Sequence, residues 1–465
     1  LTFGKGTILL INFFTIIIAT RYLGVAGFGI FASILALANI ISKFVDFGFS
    51  PIVFREISKK ENDYSLLHSA ISMRLVAVVV ATLIYNIIAL LLKIDSFEIV
   101  LTNILLLNII FSSRFINIRD LLETPFKAKL EANVIAKLSV LDSCLTLILI
   151  LFVYLFNAGL LMFVLAYTLA NLLGFTILLR MLKNRKDFRF KFSFENSKYL
   201  IKSSIPLYGY TLFLVLFLQA DVLLLKILSS EYAAGIYSAA NRITMPLSIV
   251  PQAVVTTLFP IIVKNIESNK SNIIIESLTK KILLIAAVIP SIIVTFKSTE
   301  IVTLLFGNSF SEADFPLSIL FWSYVFMFYN YFCVELQTAL NKQHNNFFFG
   351  IIISSAMIIL IYALAQKYEY DGVAVAKLCA AAFGTIYFLI FNRIYINLIF
   401  PFILWLISGF LVSYLISDVN LFLFILIIIM AYFVLAILIK IISKDELKIL
   451  QDSVGKYKLL EKFAR

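Results

Sequence analysis

Runs of about 18 or more apolar residues follow one another along this whole chain, separated by short breaks. Each run is long enough to cross the hydrocarbon core of a bilayer as a helix. Composition agrees: 62% of the 465 residues are hydrophobic, 14% are charged, and mean hydropathy is +1.00. A soluble domain is about half apolar and about a quarter charged. The expected fold is an all-α polytopic membrane protein. A β-barrel would show short alternating segments with a polar inward face, and this sequence has none.

The breaks predict about 14 transmembrane helices, at 3–22, 28–53, 68–92, 99–118, 135–156, 159–180, 204–228, 233–263, 281–297, 315–340, 346–366, 372–392, 397–416 and 420–440. Only 181–203 and the C-terminal tail are long connections, and 298–314 is expected to dip into the interface. No cleavable signal peptide is visible. The chain opens with Leu1 inside an apolar run, so a short N-terminal piece is expected to precede it. Cys144, Cys333 and Cys379 all lie inside spans and read as small buried hydrophobes.

The charge distribution orients the spans. Of the 39 Lys and Arg residues, 30 fall on the side that carries 181–203 and the tail, counting helix ends. The opposite side carries Arg21, Lys93, Lys226, Lys297 and Lys367, and Lys43, Arg74, Arg242 and Lys377 lie inside spans. By the positive-inside rule both termini are cytoplasmic. The net charge of +12 thus sits largely on one membrane face, where anionic lipid attracts it. No nucleic-acid motif is present, and no nucleic-acid partner is expected.

Two stretches occur twice. GIFAS at 29–33 matches GIYSA at 235–239, an offset of 206, and PIVFREIS at 51–58 matches PIIVKNIES at 260–268, an offset of 209. Each match marks one end of the second and of the eighth span. The offset covers six spans, an even number, so both copies share one orientation. A parallel repeat implies two lobes about an axis along the membrane normal. The expected organisation is a six-helix lobe at 1–180, a basic cytoplasmic linker at 181–203 and a second six-helix lobe at 204–392. Two extra helices at 393–442 and a basic cytoplasmic tail at 443–465 complete it. Two such lobes around a central cavity suit alternating access.

RYLGVAGFGIF (21–31), VDFGFSPIVFREIS (45–58), LIKSSIPL (200–207), Asp221, AAGIYSAANRI (233–243) and TTLFPII (256–262) occur in order. This series resembles polysaccharide-repeat (O-antigen, capsule, exopolysaccharide; Wzx-type) flippases. They belong to the multidrug/oligosaccharidyl-lipid/polysaccharide (MOP) exporter superfamily. The resemblance runs to about residue 392 and is weakest in the last two helices. It implies a flippase moving undecaprenyl-pyrophosphate-linked oligosaccharide repeat units from the cytoplasmic to the outer leaflet of a bacterial or archaeal cell membrane. It also implies other polysaccharide-assembly proteins as partners, and two six-helix bundles around a lumen that is cationic in many members.

An ionisable group at mid-bilayer costs about 2.5–3.5 kcal/mol on insertion scales, so each needs a partner or a purpose. Asp221 and Arg242 lie at similar depth below the outer ends of the seventh and eighth spans, close enough in level to pair. Either they lock those helices, or Arg242 faces the cavity and Asp221 orients it. Lys43 and Asp46 share one helix face, three residues apart. Arg21 ends the first span and is expected to snorkel. Arg74, near the inner start of the third, would snorkel too or meet a phosphate. Lys377 and Glu335 lie toward opposite faces and are not paired, and Asp142 has no partner by sequence, making it a candidate proton or sodium site. The cavity candidates are therefore Arg242, Lys43, Arg74, Arg21 and Lys377. Asp221, Asp46, Asp142 and Glu335 are charge partners or ion-coupling groups. Separated cations suit a pyrophosphate that must be held weakly and released.

Two rival readings remain. A cation-coupled multidrug-type antiporter of the same superfamily would use acidic cavity residues. A membrane polysaccharide polymerase or glycosyltransferase would need a sizeable outer loop, and the longest here is about 17 residues by the same span boundaries. His68 and His344 lie at inner helix ends without metal-ligand spacing. No catalytic residue, metal or cofactor is expected. With no GxxxxGK[ST] loop, an ion gradient or the membrane potential would supply the drive.

Overall fold

The computed structural model describes residues 2–59, 64–183, 193–268, 272–390 and 396–438. Residues 184–192 of the expected linker and the whole tail at 443–465 lie outside these. Among the described residues every regular element is helical. Nine helices among the described residues are long and apolar enough to cross a membrane, and Ser96–Phe111, Ile403–Leu415 and Leu421–Ala436 are shorter apolar ones.

The first helix, α1 (Thr2–Phe44), has 43 residues, or about 65 Å at 1.5 Å per residue. That is twice a hydrocarbon core of about 30 Å, so one straight rod cannot fit. The chain breaks it at Gly24, whose φ of 64° and ψ of −177° suit only a residue without Cβ. The sequence is α2 (Phe49–Lys59), α3 (Ser65–Leu91), α4 (Ser96–Leu106), α5 (Asn108–Phe111), α6 (Ile118–Ala128), α7 (Ala132–Leu155), α8 (Gly159–Leu169) and α9 (Leu172–Lys183). There follow α10 (Phe194–Leu228), α11 (Glu231–Thr244), α12 (Ile249–Glu267), α13 (Ile273–Phe306) and α14 (Asp314–Ala339). The series ends with α15 (Gln343–Leu389), α16 (Ile396–Leu415) and α17 (Leu421–Leu438). The 47-residue α15 also breaks, at Glu369 (φ 43°). A Cβ on Gly372 would lie 2.7 Å from the carbonyl oxygen of Leu364, so the chain folds back there. Counting α1 and α15 twice, the described part of each of the fourteen expected segments falls mostly on helix; residues 391–392 and 439–440 of two of them lie outside the described residues.

Two expected spans depart from continuity. The predicted 28–53 helix stops at Phe44; a turn with Phe47 (φ 52°) and Gly48 (φ 67°) re-aims the chain into α2. The predicted 99–118 helix ends at Phe111 and gives way to an irregular stretch before α6. The 298–314 stretch is helical to Phe306, through a non-helical Lys297, and then turns at Gly307 (φ 92°) into a short 3₁₀ segment.

The chain forms two compact units, residues 1–239 with 358–373, and 240–357 with 374–465. In the first, α1 packs against α7 and α10. In the second, α13 packs against α14, and the α16–α17 hairpin docks on α13. That dock is a dry aromatic cluster of Val288, Ile292, Trp405, Phe424, Ile428 and Tyr432, all fully buried. The Trp405 indole N–H donates to the Tyr432 carbonyl at 3.1 Å, and a Cβ on Gly409 would overlap the Tyr432 ring.

Within the first unit the repeated glycines meet. A Cβ on Gly29 would overlap the carbonyl oxygen of Glu231, and a Cβ on Gly235 would overlap that of Val25. Val25 precedes Gly29 by four residues, as Glu231 precedes Gly235. The contact is reciprocal, at a constant offset of 206, as across a two-fold axis. Small residues let two helices approach backbone to backbone in this way.

Candidate functional site

The first unit contains two interrupted helices side by side. One break runs from Ser112 to Asn117, between α5 and α6; the other is Ala170–Asn171, between α8 and α9. At membrane depth, irregular backbone survives only where protein or a polar cavity satisfies its free groups. Here amides and hydroxyls do so. Asn171 Nδ2 donates to the Tyr167 carbonyl at 2.9 Å, Asn108 Nδ2 to the Leu105 carbonyl at 3.2 Å, and the Arg114 N–H to Ser112 Oγ at 3.2 Å. Asn108 with Thr168, Asn171 with Asn108 and Ser112 with Asn171 tie the two breaks together at 2.8, 3.1 and 3.0 Å. Ile116 sits in the left-handed region (φ 49°, ψ 55°), a strained place for a β-branched residue. Asn117 pins the turn by donating to the Ser42 carbonyl at 2.7 Å.

One charged joint lies beside this turn. Arg74 on α3 is fully buried and therefore does not snorkel. Its Nε donates to the Asp46 carbonyl at 2.9 Å and its Nη1 to the Asn117 carbonyl at 2.8 Å. Its Nη2 pairs with the Asp46 carboxylate and reaches Ser50 Oγ at 3.2 Å. Lys43 Nζ stands 3.2 Å from the other Asp46 oxygen, the same-face pair expected from the sequence. The Tyr208 hydroxyl on α10 lies 2.7 Å from both the Lys43 and the Phe44 carbonyls, capping the end of α1. Three of the sequence-selected residues, Lys43, Asp46 and Arg74, thus form one joint.

A second joint holds Asp142. This α7 carboxylate is 2% exposed, and its Oδ2 lies 2.5 Å from Arg119 Nη1 on α6. Arg119 also bonds Glu123 Oε1 at 3.3 Å and the Phe111 carbonyl at 3.1 Å. A Cβ on Gly174 would overlap the Asp142 carboxylate, so α9 must offer bare backbone there. Arg114, in the turn, donates to Asn12 Oδ1 at 3.1 Å and Thr146 Oγ1 at 3.2 Å and lies 5.0 Å above the Tyr167 ring. Its charge also acts on Asp142. Lys127 Nζ pairs with Asp120 at 2.5 Å and lies 3.6 Å from Glu123. Burial pushes the Glu123 carboxyl up, against the pull of Lys127 and Arg119. Burial works the same way on Asp120, but Lys127 and Ser50 hold it below its ordinary value.

The other selected residues lie apart from these joints. Arg21 is exposed near the Gly24 bend. Asp221, fully buried on α10, accepts from the Tyr237 hydroxyl at 2.7 Å and from the Val222 N–H at 2.8 Å. Those groups belong to the first unit. In the second, Arg242 is half-buried with Nη1 3.7 Å from Met245 Sδ, Lys377 is buried on α15, and Glu335 is hydrogen-bonded with Tyr331.

Sequence reasoning missed Arg114, Arg119 and Glu123, because charges at or just beyond a predicted span end count as loop charges. The signal was there in RFINIRDLLETPFK, where both signs alternate with apolar residues beside an otherwise partnerless Asp142. It also missed Lys280 of α13, a buried lysine whose Nζ lies 5.7 Å from the centres of the Tyr329 and Phe332 rings.

A model of the family described as polysaccharide biosynthesis protein matches residues 1–266, more than half of the chain. The chain belongs to this family. It is 28% identical over 197 residues to a Haloferax volcanii protein named a probable low-salt glycan biosynthesis flippase, Agl15. That alignment covers 42% of this chain and 40% of the relative, so the chain spans less than half the length of that protein. The lipid II flippase MurJ, in an inward closed conformation, superposes with a TM-score of 0.77 at 15% identity, covering 94% of this chain and 98% of MurJ. An inward-facing multidrug resistance MATE transporter of the MOP superfamily gives 0.60 at 14% identity, over 83% of this chain and 94% of its own. A mutant Vibrio cholerae MATE transporter, VcmN, gives 0.56 at 15%, over 84% and 95%. These likenesses show the fold alone, an all-helical one shared with MurJ and the MATE proteins. In this family member, then, the two interrupted helices and both charged joints lie within a multi-pass membrane protein fold.

Proposed function

We propose that the chain is a flippase that carries an oligosaccharide repeat unit, linked through pyrophosphate to an undecaprenyl-type lipid, from the cytoplasmic to the outer leaflet of a prokaryotic cell membrane. Family membership and the naming of Agl15 and MurJ as flippases support this reading. Both termini are cytoplasmic in it, anionic lipid borders the basic face, and the two lobes at 1–180 and 204–392 alternate access. It names a transporter and not an enzyme, in keeping with the relatives' names.

The observation that carries alternating access is the Gly29–Gly235 crossing. Equivalent helices of a parallel repeat touch there through backbone alone. Such a contact parts without breaking a side-chain bond, as a rocking pair of lobes requires. Arg242, Lys43, Lys377 and Arg21 are the proposed stations for the anionic headgroup, and Arg74, with its donors satisfied by protein, holds the α1–α3 joint in this conformation. If two negative charges move outward, an inside-negative potential of 100 mV favours export by about 4–5 kcal/mol, over three decades in equilibrium ratio. Coupling to protons or sodium would add to it.

The test is a lipid-linked saccharide profile of a deletion strain, paired with transport of a labelled undecaprenyl-pyrophosphate oligosaccharide into vesicles. Accumulation of the lipid-linked unit on the inner leaflet is the expected result. Arg242→Ala should cut export at unchanged protein level, and normal export by that variant removes Arg242 from the site. The MATE-like fold favours the antiporter as second reading. Vesicles that move cationic dyes but not the lipid-linked sugar would establish it instead.

A further inference from the structure

We propose that Asp142 is a proton-exchange site, and that taking up a proton there transfers Arg119 from Asp142 on α7 to Glu123 on its own helix. The titratable group, the cation and the receiving carboxylate lie in one cluster, and the inference rests on the transport reading only in supposing that α6 and α7 must part during a cycle.

Arg119 supplies the cation, a guanidinium with five N–H donors. It is fully buried and shared by two carboxylates, Asp142 at 2.5 Å and Glu123 at 3.3 Å. Glu123 lies four residues on along the same helix, so it travels with Arg119 wherever α6 goes. Asp142 belongs to another helix and is left behind. A carboxylate stranded in a water-poor interior without its cation is strongly disfavoured, and taking a proton removes the charge. Arg119 Nη2 has no hydrogen-bond partner among the described residues, leaving one arm to receive Glu123 more fully.

The groups that face Asp142 set the balance. From α6 come Arg119, with Glu123, Lys127 and Asp120 behind it. Arg114 projects from the turn, held off by Asn12 of α1 and Thr146 of α7. From α9 comes the backbone at Gly174, and from α8 the Tyr167 ring beneath Arg114. Three cations and three carboxylates make the cluster neutral with Asp142 ionised. One proton taken up at a carboxylate oxygen therefore leaves one net positive charge, spread over two helices. Neutrality also argues against a bound phosphate here, since the arginines already face carboxylates.

The test uses the full-length protein in nanodiscs, with infrared difference spectra recorded on acidification. The native chain should show a carboxylic-acid C=O band absent from the double variant Asp142→Asn/Arg119→Gln and take up about one proton more per chain than that variant. Asp142→Asn alone leaves Arg119 without its partner and risks misfolding. The charge-matched double variant Asp142→Asn/Arg119→Gln removes both signs together and should keep protein level while losing the band and the proton. The same band in the double variant, or no band in the native chain, overturns the proposal. Because no lipid substrate is present, failure of the flippase reading would show separately, in the vesicle assay. In a chain that does flip, the double variant should lose the pH dependence of flipping and keep flipping driven by potential.

Discussion

The two units solve one problem differently. In the first, helices join through buried charge: Arg74 with Asp46, and Arg119 with Asp142 and Glu123. In the second, several helix-to-helix joints are made by neutral amides. Asn330 Nδ2 donates to the Ala381 carbonyl at 2.9 Å and accepts from Thr385 at 2.9 Å. Asn345 bonds Gln337 at 3.0 Å, and Asn346 bonds Thr338 and the Val334 carbonyl, each at 3.0 Å. Two of its buried lysines lie near rings and pair with a carboxylate on their own helix, Lys280 by Tyr329 and Phe332 with Glu276 at 4.0 Å, and Lys297 by Phe424 with Glu300. A neutral amide joint does not change with pH or potential. A charged one does, so the helix-to-helix joints at Asp46 and Asp142 in the first unit are places where a proton or a field can act.

Four substitutions sharpen or break that contrast. Arg74→Met keeps the stem length but strands Asp46 and two carbonyls, and should cost about 3–5 kcal/mol, read as lost thermal stability in detergent and lost protein in the membrane. Gly235→Ala places a methyl into the Val25 carbonyl; forcing α1 and α11 apart should cost about 1–3 kcal/mol and raise labelling of a cysteine introduced at Ser33. Asn330→Leu removes only neutral bonds and should cost about 0.6–1.7 kcal/mol; a loss as large as that of Arg74→Met would erase the distinction between the units. Glu123→Gln should have the smallest effect, on slope more than size. Burial raises the Glu123 carboxyl, so its contribution to stability is complete at low pH and is lost as pH rises through its folded-state value. The glutamine variant should lack that loss in melting curves taken across pH.

Much of the fold was legible because hydropathy reports spans directly: the described part of each of the fourteen segments falls mostly on helix. The reversal at Glu369 was legible as a gap between two apolar runs, and the same holds for the bend at Gly24. The interruption at 112–117 was not. Its residues, SSRFIN, carry enough apolar weight to extend a span, while the hydrogen bonds that break it come from Asn171, Asn12 and Ser42, far away in sequence. The site was legible in halves. Lys43 with Asp46 follows from helical spacing, but Arg74 reaches the same aspartate from 28 residues on, and no periodicity encodes that. Asp142 stood out as a lone acid in a span. Its partner Arg119 was hidden because a cation just past a predicted helix end reads as ordinary loop charge.

The glycine crossing bears on ancestry. Val25 and Gly29 meet Glu231 and Gly235 as mutual mirror addresses, which is the contact two identical half-length chains would make if each met a copy of itself. A fused descendant that keeps it inherits a seam on which the same substitution, made on either side, does equal harm.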